Sequence, residues 1–213
     1  YFESVIQAKS FSAQEIKTAY PEIFESTPIL SAFIKEVHVV AIRYRTKDAY
    51  GNDISASGII AYPSDEIKEI TGMQHSTYFL KSEAPSRQLL VPEIIPVFFN
   101  RIVIMADYLG FGVSESSSHP FMQSELTGRT CTDMLLAAHE YLTLQKFRLP
   151  DAFTLAGYSQ GGSATLATLR EIERTPGFPW QIKHTYAGGG VYDFKATFDY
   201  FLEQNRMTMP ALA

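Results

Sequence analysis

One cysteine, Cys131, stands among 213 residues, so no disulfide can close within this chain. It falls in a helix-like stretch, where a buried structural thiol is the simpler reading than a nucleophile. Apolar runs of 18 or more residues are missing, so no segment has the length of a membrane-spanning helix. Lysine and arginine are nowhere concentrated. The 18 basic residues against 23 acidic ones leave a net charge of −5, with no electrostatic footprint for nucleic acid or an anionic membrane surface. No His/Cys/Asp cluster has metal-ligand spacing, and neither G-x-x-x-x-G-K-[ST] nor G-x-G-x-x-G occurs, so neither a metal nor an organic cofactor is expected.

What is present is ordinary globular material: 46% apolar residues, with an aromatic share of 13% that suits an apolar pocket. The length fits a single domain over 1–213, with no Pro/Gly/Ser-rich linker dividing it. Ser12-Ala13-Gln14-Glu15 has the form of a capping box and predicts a helix over about 13–20. Pro21 and Pro28 predict an irregular stretch after it. Two β-rich runs near 36–46 and 54–62, around the turn-rich segment Asp48 to Asp53, predict an antiparallel hairpin. Beyond residue 70 the pattern changes. Short apolar runs in "TGMQHSTYFL", "RIVIMADYLGFG", "DAFTLAGYS" and "IKHTYAGGGVYDF" alternate with helix-like stretches at about 86–99, 129–145 and 162–174. That alternation argues for a mostly parallel sheet covered by helices on both faces.

The most informative stretch is Gly157-Tyr158-Ser159-Gln160-Gly161, which fits G-x-S-x-G at the junction of an apolar strand and a helix. Gly162, Ser163 and Ala164 are also small, as needed where a strand turns back closely upon a helix. Ser159 is then the candidate nucleophile. The backbone N–H of Gln160, at the helix N-terminus, is the candidate oxyanion donor. A second donor is expected from the loop in "MQHSTYFLKSEAPS", where His75 reads either as a loop histidine bonded to backbone or as a base. The same bracketed turn could instead cradle a phosphate, but the fingerprints of such loops are missing.

"GYSQGG", "SEAPS" (82–86), "DYLGFG" (107–112), "HPF" (119–121) and "GGGVYDF" (188–194), in this order and spacing, resemble the secretory lipase family of α/β-hydrolases, fungal and bacterial serine esterases. The resemblance runs from about residue 36 to 203. It implies the α/β-hydrolase fold with an N-terminal antiparallel hairpin, an acyl-enzyme on Ser159, oxyanion donors at Gln160 and Thr77, and an acyl-ester or lipid substrate. It further implies a secreted or cell-envelope location, which a processed N-terminus at Tyr1 would fit. Ser76 stands where the family more often has glycine, which bears on the geometry of the second donor.

A serine hydroxyl needs a histidine to take its proton and a carboxylate to orient that histidine, in this fold in the order Ser, acid, His. The only histidine after Ser159 is His184, expected before a strand and at the wrong end of the sheet. His119, in a Ser-rich loop at the rim, reads as a His-Pro turn that could approach Ser159. Asp193, after the strand that follows the nucleophile, could orient a base. Asp107 reads as a loop pin, and His38 and His139 as strand-face and helix residues. On the resemblance, the family continues past residue 213 into a cap and two further strands bearing Asp and His. The expectation is therefore a sheet lacking its C-terminal strands, with an edge to be completed by a further segment or a second chain. The reading from another class is an α/β-hydrolase-like binding domain without a base.

Overall fold

The computed structural model describes residues 1–203. Seven strands form one sheet in the order β1-β2-β3-β5-β4-β6-β7. They are β1 (Phe2–Phe11), β2 (Val37–Lys47), β3 (Asp53–Pro63), β4 (Glu69–Gln74), β5 (Arg101–Ala106), β6 (Ala152–Tyr158) and β7 (Gln181–Gly188). β2 and β3 make the expected hairpin, in register from Val37 opposite Pro63 to Lys47 opposite Asp53. β3 runs antiparallel to β5, and β4, β5, β6 and β7 are mutually parallel. β2 shares their direction, so only β1 and β3 run the other way.

The helices are α1 (Ala13–Ala19), α2 (Pro21–Ser26), α3 (Pro85–Gln88), α4 (Ser124–Leu144), α5 (Gln160–Ile172) and α6 (Phe194–Glu203). Ser12 caps α1 as expected: its hydroxyl accepts from the Glu15 N–H while the Glu15 carboxylate accepts from the Ser12 N–H at 2.8 Å. The stretch after Pro21 is not irregular. Pro21 opens α2, and Pro28 opens a 3-10 turn over Pro28–Ala32, because proline is compatible with a first helical turn. The helix expected over 86–99 is instead the short α3 followed by a 3-10 stretch, Pro92–Phe99, with Pro96 inside it. α4 begins five residues before the expected start. The sequence over 194–206 is also helix-like; α6 covers it as far as Glu203, and its remainder lies outside the described residues.

Side chains alternate across the sheet and fill both faces. Val37, Val39 and Ala41 of β2, with Val103 and Met105 of β5, pack under Ile94, Val97 and Phe98. Ile42, Tyr44, Ile102, Ile104, Phe153 and Leu155 pack under Met134, Leu135 and Leu142 of α4. Burial on both faces explains why β5 reads "RIVIMA", a continuous apolar run.

Asp133 on α4 lies against β2, where Thr46 donates to its carboxylate over 2.7 Å. Burial, helped by nearby Glu171, raises the Asp133 carboxyl to about 6. An unfolded aspartate titrates near 3.9, so the native state binds this proton more tightly and loses stability as pH rises from about 4 through about 6. Asp133→Asn keeps an acceptor for Thr46 and removes the charge. We expect it to raise the melting temperature at pH 7.5, with the gain shrinking to nothing near pH 4. Thermal melts across that range check this, and a pH-independent difference would contradict it.

Candidate active site

Four loops leave the carboxyl ends of the parallel strands β4, β5, β6 and β7: His75–Phe79, Asp107–Gly112, Ser159, and Gly188–Asp193. In an open parallel sheet this is the edge where ligands sit. Ser159 joins β6 to α5 with φ 58° and ψ −121°, a conformation that L-residues rarely adopt. Its carbonyl accepts from Gly162 N at 2.9 Å, and its own N–H donates to Gly188 O at 2.9 Å. The serine occupies the N-cap position of α5, yet its hydroxyl makes no capping bond. The side chain is left for something other than the helix.

The flanking glycines are demanded by packing. A Cβ on Gly157 would lie 2.3 Å from Gly161 O, and one on Gly161 would lie 2.1 Å from Gln74 O and 2.8 Å from His75 O. The start of α5 is thereby pressed onto the end of β4 and the loop carrying Thr77. Gln160, the first residue of α5, is buried. Its backbone N–H belongs to the first turn, which has no intrahelical acceptor. Thr77 is half-buried in the irregular segment two residues after His75.

That segment is braced from both sides. The His75 ring stacks between Tyr78, at 4.3 Å, and Tyr108, at 4.0 Å. The Tyr108 hydroxyl donates to His75 O at 2.9 Å, and the Glu83 carboxylate accepts from the N–H groups of Phe79 and Leu80, both at 2.8 Å. His75 is fully buried, with Nδ1 2.7 Å from Ser76 O and Nε2 3.2 Å from Asp107 O. Desolvation lowers its pKa to about 4. Of the two readings of His75, these hydrogen bonds favour the loop histidine held by backbone, since Nδ1 and Nε2 lie against Ser76 O and Asp107 O.

The loop after β5 hangs on Asp107. Buried completely, its carboxylate accepts from Ser57 Oγ on β3 and from Ser86 N, at 2.8 Å, and Ser86 Oγ on α3. Burial raises its pKa while these bonds act in the opposite direction. Its role as a loop pin agrees with expectation, though serine hydroxyls from two distant segments join the backbone as donors. Gly112 is forced by the same knot, since a Cβ there would meet Asp107 Oδ2 at 2.0 Å.

Asp193 is exposed and caps α6, accepting from Ala196 N at 2.8 Å. His119 is 2.8 Å from Leu109 O through Nδ1 and 3.0 Å from the Gln160 side-chain nitrogen through Nε2, so both its nitrogens are occupied and its ring is bonded to the residue after the serine. His184 lies within β7, beside Thr154, instead of before the strand. His38 bridges Ser10 and Ser64, and His139 stands edge-on to Trp180. Among the described residues no histidine is hydrogen-bonded to Ser159, and no group of His, Cys, Asp and Glu is disposed to hold a metal. The contact of His119 with Gln160 had no signal in the sequence. An open groove of about 460 Å³ runs beside the elbow, lined by Met73, Ser76, Pro92, Ala156, Tyr158 and Tyr186.

Strand order, elbow and rim together define the α/β-hydrolase fold, here with helices on both faces and β7 at the end of the described sheet. A solved structure of a provisionally assigned hydrolase from Legionella pneumophila is 26% identical with TM-score 0.78, over 93% of this chain and 55% of that one. The rice cell wall degrading esterase LipA from Xanthomonas oryzae is 24% identical with TM-score 0.76, over 92% of this chain and 52% of LipA. Candida antarctica lipase A in its closed state is 18% identical with TM-score 0.62, over 94% and 45%. The chain thus spans about half the length of these proteins. No protein-family model and no curated protein sequence matches it.

Proposed function

We propose that the chain carries the nucleophile and oxyanion donors of a serine carboxylic-ester hydrolase. One observation carries the reading: Ser159 is held at φ 58° on the strand-to-helix turn, with its hydroxyl unused by the helix it caps. Backbone strain at a side chain with no structural task is a mark of function. The esterase and lipase among the similar structures support the same reading, as does the likeness to the secretory lipases.

In the proposed mechanism Ser159 Oγ attacks the ester carbonyl carbon and gives its proton to a base. The oxygen that becomes negative accepts from Gln160 N–H and from Thr77. The alkoxide leaves with the proton, and water then cleaves the acyl-serine in a second addition. Because no described histidine is hydrogen-bonded to Ser159, the base and its carboxylate would come from outside the described residues. The outer side of β7, which pairs only with β6 among those residues, is where a further strand would add. The groove beside the elbow suits an apolar acyl or alcohol group, and the protein would act in the cell envelope or outside the cell.

An elbow serine with no histidine bonded to it among the described residues is also what a non-catalytic binding domain would show. An active-site titration separates the two readings. The longest natural form of the chain, mixed rapidly with a p-nitrophenyl ester, should release a burst of about one p-nitrophenolate per molecule before steady turnover. Neither burst nor turnover over a range of acyl lengths would favour the binding domain.

A further inference from the structure

We propose that His119 is a positioning residue for the oxyanion donor, fixing Gln160 by accepting a hydrogen bond from its side-chain amide. This rests on the acyl-transfer reading above. Leu109 O only accepts, so Nδ1, 2.8 Å away, carries the ring proton. Nε2 then holds a lone pair, and the Gln160 amide nitrogen 3.0 Å away donates to it. The opposite amide orientation would need an imidazolium, which burial and the nearby Lys81 ammonium both disfavour. The titratable groups around the ring are Lys81, whose ammonium donates to Gly110 O and lies over Phe111, together with Tyr108 and His75.

The ring is well placed to act as a fixed post. Phe111 packs on it edge-on at 5.1 Å, and Phe121 lies 5.9 Å away. Gly110 leaves no space for a side chain, since a Cβ there would stand 2.7 Å from His119 N and Cα. The loop that grips His119 is itself anchored by Asp107 to β3 and α3. Rigidity thus passes from the sheet through the loop after β5 to the side chain of Gln160.

Gln160 needs such a post because the direction of its N–H is set by ψ of Ser159 and by its own φ. Ser159 is strained, so the peptide between them would relax if it were free to turn. The Gly162 bond to Ser159 O holds the peptide on its carbonyl side, and the bond to His119 holds Gln160 by its side chain. An oxyanion donor works only when it is already aimed before charge develops.

Two measurements on the longest natural form test this. Imidazole ¹⁵N NMR should show His119 neutral, with its proton on Nδ1 and Nε2 as acceptor, and Gln160→Met should remove the hydrogen-bond signature at Nε2 alone. In ester hydrolysis, His119→Phe keeps the ring packing but loses the acceptor, and should lower kcat about 10- to 100-fold, less than outright deletion of an oxyanion donor, with KM little changed. Gln160→Met should do the same and the double variant no worse, while His119→Gln, which can place an oxygen near the Nε2 position, should recover most of kcat. Unchanged kcat in a folded His119→Phe, multiplying effects in the double variant, or a proton on Nε2 would each overturn the proposal. Absence of turnover in the wild type would instead overturn the hydrolase reading and this proposal with it, while the NMR result still reports on the contact itself.

Discussion

Ser159→Ala is expected to reduce kcat for ester hydrolysis by roughly 10⁴- to 10⁶-fold, the range seen when the nucleophile of a serine hydrolase is removed. The fold should survive, because the turn is held by the Gly188, Gly162 and Gln160 contacts and not by the hydroxyl. Glycine at the same position makes a sharper companion test. With φ at 58° and ψ at −121° the serine stores strain of about 1–3 kcal/mol, which glycine relieves at an entropy cost of about 0.5–1 kcal/mol. Ser159→Gly should therefore be inactive and melt about 2–4 °C higher than the alanine variant. Kinetics and melting curves on the three proteins check both halves, and an active Ser159→Ala would remove Ser159 from the mechanism.

Gly161→Ala is expected to have the largest effect on stability. The added methyl would lie 2.1 Å from Gln74 O and 2.8 Å from His75 O, both backbone atoms that cannot rotate away. Helix α5 must then separate from β4, at a cost of about 3 kcal/mol or more and a melting temperature lower by roughly 6–12 °C. The same displacement draws Gln160 away from the segment bearing Thr77, so reactivity at Ser159 should fall even in the fraction that remains folded. Differential scanning calorimetry together with turnover per folded molecule checks this. A variant that melts like wild type would show that the elbow does not need the close approach.

The elbow is legible because its requirements are local: strand, turn, helix and obligatory glycines all fall between Ala152 and Ile172. The hairpin and the α1 cap were legible for the same reason. β1 was not, because it is an edge strand exposed along most of its length, and its sequence, "FESVIQAKSF", carries no clean alternation. Pro21 and Pro28 read as breakers in sequence because their position in a first turn depends on what precedes them. The position of His184 inside β7 follows from where that strand starts, which is set by pairing with β6 and includes a register shift near Phe153. Links that join distant segments were the least legible. The serines that hold Asp107 come from 50 and 21 residues away, and the His119 ring meets Gln160 across 41 residues. Nothing local marks either pairing.

A serine nucleophile poised for acyl transfer reacts with a fluorophosphonate, and Ser159 should do so. The most direct measurement is the intact mass of the protein after reaction with a fluorophosphonate, on residues 1–213 and on the longest natural form, with Ser159→Ala as control. One adduct per molecule is expected on the longer form, located at Ser159 and absent from Ser159→Ala, with little or none on residues 1–213 alone. No adduct on either form, or an adduct that persists in Ser159→Ala, would contradict it.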